Sequence, residues 1–439
     1  MVFSGGSALR RAAVVLILAV FLAVPVLAEQ FTLQQCIDQA LGFNANVIAA
    51  ENSYKSAGQD YLTAWGNVLP SFGFSANYSF SKNFGEFFNP YTLQYQTDPG
   101  TKTYRKGISG GMTLFDGGQT WYNIRSAKLS KNSSSSQLRG TLLSMAYQVK
   151  QAYYALASAI MLRKAQADAL ERSRKQLEVT ATRYELGSAS LSEKLKAEVT
   201  MATDSLGLLE RINDIRSAEF ALNLLMDRDP SLAIAPSDQL AEIEFSGNLE
   251  DCLNSAYLNN PDLATAQYSW DQARTSVRLA QGSWFPRVSA SIGWNWASAD
   301  ADNWPKFIKD EAGYSFGIGI SYTLFDAFSK KTSYSKAKLS ALTAKENYDA
   351  ARKSLTQDVH QAYLDIEKSR LQYSTAQLAE RSAQEDYKLQ QEKYRLGASS
   401  ILELLDAQAS LTQAQYQKIS ALYQLNVAVA GMAMAMGEM

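Results

Sequence analysis

The chain has almost nothing with which to hold a soft metal or to run nucleophilic catalysis. Its 439 residues include one histidine, His360, and two cysteines, Cys36 and Cys252. A zinc site needs several such ligands converging, and a Ser-His or Cys-His nucleophile would have to recruit His360. That residue lies in the helical run Gln357-Asp358-Val359-His360-Gln361 with no glycine-framed elbow, so it reads as a helix-face histidine. No enzyme activity, cofactor or metal is expected. An excess of one charge is also missing. The 42 basic side chains stand against 43 acidic ones, which removes the basic footprint of a nucleic-acid partner. Proline is scarce, at nine residues, and no Gly/Ser-rich linker divides the chain.

The first 28 residues read as an export leader. Arg10-Arg11 form a basic start, residues 12–26 are apolar, and Val26-Leu27-Ala28 before Glu29 has the small residues of a cleavage site. The apolar run is short for a spanning helix and Pro25 breaks it, which favours cleavage over an anchor. No cysteine follows the cleavage site, so a lipid anchor there is not expected. Nor is a further long apolar helix.

What is present is a duplication. Leu33-Gln34-Gln35-Cys36-Ile37 returns as Leu249-Glu250-Asp251-Cys252-Leu253, and Asn67-Val68-Leu69-Pro70 as Ser283-Trp284-Phe285-Pro286, both at an offset of 216. Thr113-Leu114-Phe115-Asp116 returns as Thr323-Leu324-Phe325-Asp326 at an offset of 210, as do Gln151-Ala152-Tyr153 and Tyr184-Glu185-Leu186-Gly187. The first copy is therefore six residues longer between the proline and the Leu-Phe-Asp, where an exposed loop is expected. The division is a first repeat over 29–230, a linker over 231–248 and a second repeat over 249–439.

Inside that variable segment the apolar period is two. Phe72, Phe74, Ala76, Tyr78 and Phe80 alternate with small polar residues, as do Ile108, Gly110, Met112 and Leu114. The second copy repeats this with Val288, Ala290, Ile292, Trp294 and Trp296, then with Tyr314, Phe316, Ile318, Ile320, Tyr322 and Leu324. This predicts strands at about 71–82, 104–115, 287–296 and 314–324, joined by loops at 82–103 and 297–313. Two readings compete: hairpins over a soluble core, or transmembrane strands with lipid on one face and a wet lumen on the other. The nearly pure Ser, Gly, Asn and Thr face and the export leader favour the second.

The rest is helical. Proline is absent from 118–186 and 329–396, so two helices of roughly 100 Å are expected. Val149, Leu156, Leu170, Leu177 and Tyr184, and likewise Val359, Ile366, Tyr373, Tyr387 and Tyr394, recur on a seven-residue period with small companions. That is coiled-coil packing with close approach. Shorter helices are expected at about 32–69, 190–228, 249–285 and 400–436. Four strands cannot close a barrel, and an open edge in lipid is forbidden. A dimer of eight strands or a trimer of twelve would satisfy that rule.

Thr32-Leu33-Gln34-Gln35-Cys36-Ile37-Asp38-Gln39-Ala40-Leu41, Val68-Leu69-Pro70, the paired Leu-Phe-Asp exits and the Tyr-x-x-Gly turns carry a resemblance. So does Leu402-Glu403-Leu404-Leu405-Asp406-Ala407-Gln408. Together they resemble the TolC-type outer-membrane efflux protein family across nearly all of the mature chain. The resemblance implies an α+β membrane protein: duplicated α-helical coiled-coil hairpins, four transmembrane strands per chain, a homotrimer with a twelve-stranded β-barrel, and a periplasmic helical tunnel. It implies a place in the outer membrane of a Gram-negative-type envelope. The partners implied are outer-membrane lipid, a periplasmic adaptor (membrane fusion) protein and an inner-membrane pump of the RND or ABC type. The function implied is the exit duct of a tripartite efflux or type I secretion system. The rival reading is a periplasmic coiled-coil adaptor without a pore.

Gly187 and Gly397 can end a helix in the left-handed conformation, and Ser190-x-x-Glu193 and Ser400-x-x-Glu403 match capping boxes. Each predicts a tight helix–turn–helix tip. In the family such tips touch the adaptor and close the pore. By match, Gly187, Gly397, Tyr184 and Glu193 would lie at adaptor-contacting tips, and Asp406, Glu403 and Tyr394 at the periplasmic gate. Capping already accounts for Glu193 and competes for Glu403, whereas Asp406 has no capping role. Its counterpart in the first copy is Lys196. Three chains would crowd these carboxylates, raise their pKa values and attract cations. Some relatives hold the tip through a Tyr, an Arg and an Asp, but the Arg position here is Ser399. Cys36 and Cys252 occupy equivalent places on different helices and are expected as free buried thiols rather than a disulfide.

Overall fold

The computed structural model describes residues 29–98, 100–238, 240–300, 302 and 312–439. The leader at 1–28 and the centre of the loop at 297–313 lie outside the described residues. The first half runs β1 (Glu29–Phe31), α1 (Leu33–Phe43), α2 (Ala45–Gly66), β2 (Ser71–Ser81), β3 (Glu86–Asn89), β4 (Gln94–Thr97), β5 (Thr101–Phe115), α3 (Gln119–Glu185) and α4 (Leu191–Leu225). After β6 (Ile234–Pro236) come α5 (Leu249–Asn259), α6 (Pro261–Gly282), β7 (Arg287–Ser298), β8 (Ala312–Ser321), α7 (Ser329–Arg395) and α8 (Ile401–Met436). The chain divides into two compact units. Of the described residues, one gathers those within Met1–Ala50, Leu138–Pro261 and Lys353–Met439, the other those within Glu51–Gln137 and Asp262–Arg352.

The second unit contains the main sheet, in the order β2-β5-β7-β8. Every pairing is antiparallel. β5 is longer than its alternation suggested and begins at Thr101, because Thr101 to Tyr104 continue the ladder against β2. The register against β7 slips between Thr113 and Phe115. This bulge takes Leu114 out of the alternation with Met112. The loop between β2 and β5 holds a small hairpin of β3 and β4, which the sequence pattern did not announce.

Each return strand runs into a 67-residue helix through the Leu-Phe-Asp motif. The aspartate is the reason for the motif. Asp116 Oδ2 accepts the backbone N–H of Thr120 at 2.9 Å, and Asp326 Oδ2 that of Lys330 at 2.8 Å. Both carboxylates thus satisfy a free donor at a helix start and favour its positive dipole end. The two residues between the aspartate and the helix are left-handed: Gly117 and Gly118 in the first copy, Ala327 and Phe328 in the second.

Two helices expected to be continuous are broken. The 32–69 stretch splits at Asn44 and the 249–285 stretch at Asn260, which are equivalent positions. Each asparagine leaves helical geometry, with ψ of 130° and 123°, after closing the preceding helix with its own N–H. Asn44 Oδ1 then accepts the N–H of Asn46 at 2.9 Å, and Pro261 opens α6, where its missing N–H costs nothing. The amide side chains reach outward. Asn44 Nδ2 donates to the Leu225 carbonyl at 3.0 Å, and Asn260 Nδ2 to the Ala435 carbonyl at 3.2 Å. Each break therefore fastens the C-terminal end of a neighbouring helix in its own repeat.

The core of the first unit contains Cys36, Ile37, Val47, Val149, Leu156 and Leu222. Val149 and Leu156 come from the expected seven-residue stripe, as do buried Val359 and Ile366. Both cysteines are free and buried. Burial pushes the Cys36 thiol up to about 12 and raises that of Cys252. The segment between the repeats is less of a plain linker than expected, since β6 pairs in parallel with β1. Buried Asn223 and Asn426 donate to the Leu232 and Ala241 carbonyls at 2.7 and 2.8 Å.

A further correction concerns α8. No long apolar helix was expected beyond the leader, yet Ile401–Met436 is long and apolar enough by composition to cross a membrane. Its Leu404, Leu411, Leu422, Leu425 and Met432 are buried within the protein. Buried Asn426 on the same helix also accepts the N–H of Ile243 at 3.3 Å. A helix packed on several sides needs the same apolar composition as one in lipid.

Candidate functional site

The two tips are built alike. Gly187 and Gly397 have φ of 72° and 76°. Ser188 N–H closes on the Arg183 carbonyl, and Ala398 N–H on that of Lys393, both at 2.8 Å. These are left-handed helix ends with their carbonyls satisfied. The next helix starts at once. In α4 the Ser190 side chain accepts from Glu193 N–H while Glu193 accepts from Ser190 N–H at 3.0 Å, and Ser400 and Glu403 repeat this in α8. Both glutamates are thus used as caps.

The tips differ in what surrounds the cap. Ser399 Oγ donates to Glu403 Oε2, and Gln390 Oε1 lies 3.1 Å from the same hydroxyl. The Ser399 hydroxyl first, then the Ser400 N–H, hold the Glu403 carboxyl below its ordinary value. Asp406 is exposed, as is its counterpart Lys196. Tyr184 is 39 % exposed, with Lys194 Nζ 5.6 Å from its ring centre. It therefore stands outside the core that its seven-residue spacing suggested. Tyr394 is only 8 % exposed and packs with Ala197, Ile401 and Leu404.

Sequence reading missed Arg183. Its guanidinium lies 4.7 Å from the Tyr394 ring centre, and its two terminal nitrogens donate to the Tyr394 and Arg395 carbonyls at 3.4 Å. An arginine therefore does meet this tyrosine, but from the last turn of α3 and not from position 399. The cation also faces the negative end of α7. The only sequence signal was a basic residue near a helix C-terminus, which is common. His360 is exposed on α7. Among the described residues no three His, Cys, Asp or Glu side chains are grouped to hold a metal.

The sheet has two unlike faces. Register puts Phe74, Ile108 and Trp294 in one row and Phe72, Gly110, Ile292 and Phe316 in the next. That face is open: Phe72 is 69 % and Phe316 74 % exposed. Such a large exposed apolar surface marks a partner or a membrane. Aromatic residues gather at both of its ends. Tyr78 and Tyr104 pair at 5.0 Å near the loop end, with Trp294 opposite Tyr314. Trp65 and Trp121 meet edge-on at 6.0 Å near the helix end, where Trp284 and Phe325 are exposed. Two aromatic belts around an apolar band are the pattern of a membrane-spanning sheet. Trp296 keeps the register of the outward row, opposite Lys106, but is not open like its neighbours. It is 1 % exposed, and the Lys106 ammonium lies 4.3 Å from its ring.

Comparison with known proteins agrees with this geometry. The family model described as outer membrane efflux protein matches residues 36–227 and 252–438. Protein CyaE of Bordetella pertussis is 23 % identical, over 78 % of this chain and 72 % of its own. Outer membrane protein TolC of Vibrio cholerae is 21 % identical, over 74 % and 76 %. Among solved structures, the Campylobacter jejuni CmeC outer membrane channel superposes with a TM-score of 0.81 at 20 % identity, over 92 % of this chain and 85 % of that one. CusC gives 0.81 at 19 %, over 93 % of each. With both matched stretches together spanning most of its length, the chain belongs to the outer membrane efflux protein family.

Proposed function

We propose that three copies of this outer-membrane protein close into a twelve-stranded barrel continued by a helical periplasmic duct. The duct passes substrates from an inner-membrane pump, handed over with a periplasmic adaptor, to the outside. The observation that carries this is the sheet. It presents an open apolar face bounded by aromatic belts and a small polar face, and among the described residues β2 and β8 each pair on one side only. Lipid on the first face and water on the second satisfy both, and copies joined edge to edge satisfy the free ladders. CyaE, TolC and the efflux-pump proteins among the relatives support the duct over a coiled-coil adaptor without a pore.

The gate is assigned to the second tip, with Asp406 as the pore carboxylate, Glu403 beside it and Tyr394 as the packed hinge of the turn. Gly187, Gly397, Tyr184 and Glu193 are assigned to the surface that meets the adaptor. Asp406 suits the gate because it is exposed and free of the capping role that occupies Glu403. Purified protein in planar bilayers tests both levels. A multivalent cation added on the periplasmic side blocks the native pore, and Asp406→Ala relieves the block by about tenfold or more, as expected for removing a ring of like charge. Unchanged block removes Asp406 from the pore. Absence of any conductance supports the adaptor reading instead.

A further inference from the structure

The polar face of the sheet is almost featureless. Gly73, Ser75, Ser109, Ser291, Gly293 and Gly317 leave little beyond backbone and hydroxyl on it. Two long side chains break the pattern. Arg105 is registered between Asn77 of β2 and Ala297 of β7, and it is exposed. Arg287 opens β7 opposite Ser321, is also exposed, and donates from Nη2 to Thr113 Oγ1 at 2.9 Å. No aspartate or glutamate occurs in β2, β5, β7 or β8. The other strand cations, Lys102 and Lys106, lie on the opposite face, across from Phe80 and Ala76.

We infer that Arg105 and Arg287 are charge-selecting residues of the lumen, one ring near each end of the barrel, which favour anions in the part of the duct that crosses the membrane. The inference rests on the exit-duct reading, because the polar face becomes a lumen only in a closed barrel. Arg105 aligns with position 297 of β7, ten residues from Arg287. That is about 33 Å along the strand, or about 25 Å along an axis tilted by about 40°. Twelve strands at this tilt give a backbone radius of about 12 Å. The Debye length at 0.1 M salt is about 10 Å, and both side chains project from the wall into that space. A permeating ion therefore feels each ring, and no carboxylate on the strands offsets it.

The test is the chloride-to-potassium permeability ratio of the full-length protein in planar bilayers under a KCl gradient. The double variant Arg105→Ser/Arg287→Ser should lower the ratio by about threefold or more, with each single change in between. Arg105→Lys should leave it near the native value, and Arg105→Glu should lower it further than Arg105→Ser. Serine is the residue type that already fills this face, and a retained pore conductance reports that the barrel has assembled. Normal conductance with an unchanged ratio in the double and Arg105→Glu variants overturns the inference and leaves the duct standing. A native protein that forms no pore overturns both.

Discussion

Arg183 joins the two tips of one chain by stacking on Tyr394 and by hydrogen bonds to the carbonyl end of α7. A cation over an aromatic ring contributes about 1 kcal/mol or more when partly desolvated. Charge at a helix terminus adds a similar amount. Arg183→Ala should therefore shift the closed-to-open balance of the tip by roughly 5- to 30-fold, equivalent to about 1–2 kcal/mol. Open probability in single-channel records measures this, and an unchanged value would show that Arg183 does not hold the proposed gate. The Glu403 cap gives the proposed gate a pH dependence. Its carboxyl is held below the ordinary 4.5 by the Ser399 hydroxyl and the Ser400 N–H. A depressed carboxylate contributes fully above the unfolded value and loses its contribution as pH falls through the folded one. The tip should thus hold the same open probability from neutrality down to about pH 5 and loosen only below 4.5. Ser399→Ala should shrink this loosening below 4.5, because it brings the folded carboxyl back towards its ordinary value. A native tip that loosens near pH 6 would contradict the assignment.

At the scale of elements, the capping boxes and glycine turns were readable because each is a local pattern of three or four residues. The breaks at Asn44 and Asn260 were not. An asparagine within an apolar-periodic run is compatible with helix, and its selection here comes from carbonyls nearly two hundred residues away, Leu225 and Ala435. Asn44→Ala removes a cap and a bond to a helix-end carbonyl, and Asn260→Ala removes a bond of the second kind, each at a cost of about 1–2 kcal/mol. Amide exchange should then accelerate roughly 5- to 30-fold in the last turns of α4 for Asn44→Ala and of α8 for Asn260→Ala. The two effects should be independent, since the sites share no partner. Exchange that is unaltered in these turns would show that the clamps contribute nothing. Arg105 and Arg287 were missed for a related reason. Alternation puts Arg105 with Ser109 and Arg287 with Ser289 within each strand, and the ladder register shows that these are one face of one sheet.

For the whole molecule, the free edges of β2 and β8 dominate. Among the described residues each has a row of backbone groups without a strand partner along about ten residues, and each such group costs several kcal/mol in hydrocarbon. A lone chain in the bilayer is therefore strongly disfavoured. Native mass spectrometry of the detergent-extracted protein should give three copies of the chain, and conductance should track that species alone. A conducting monomer would contradict the shared barrel.

Duplication, strand alternation, proline-free helices and tip glycines were determined by the sequence alone. All are periodic or local, so hydrophobic spacing and backbone freedom suffice to read them. Tertiary structure decided which separated residues meet. It broke two helices at asparagines, buried Trp296 under Lys106, brought Arg183 rather than residue 399 to Tyr394, and placed Arg105 and Arg287 on the polar face. These outcomes depend on register and on long-range hydrogen bonds, which a one-residue slip would reverse and which no local pattern encodes.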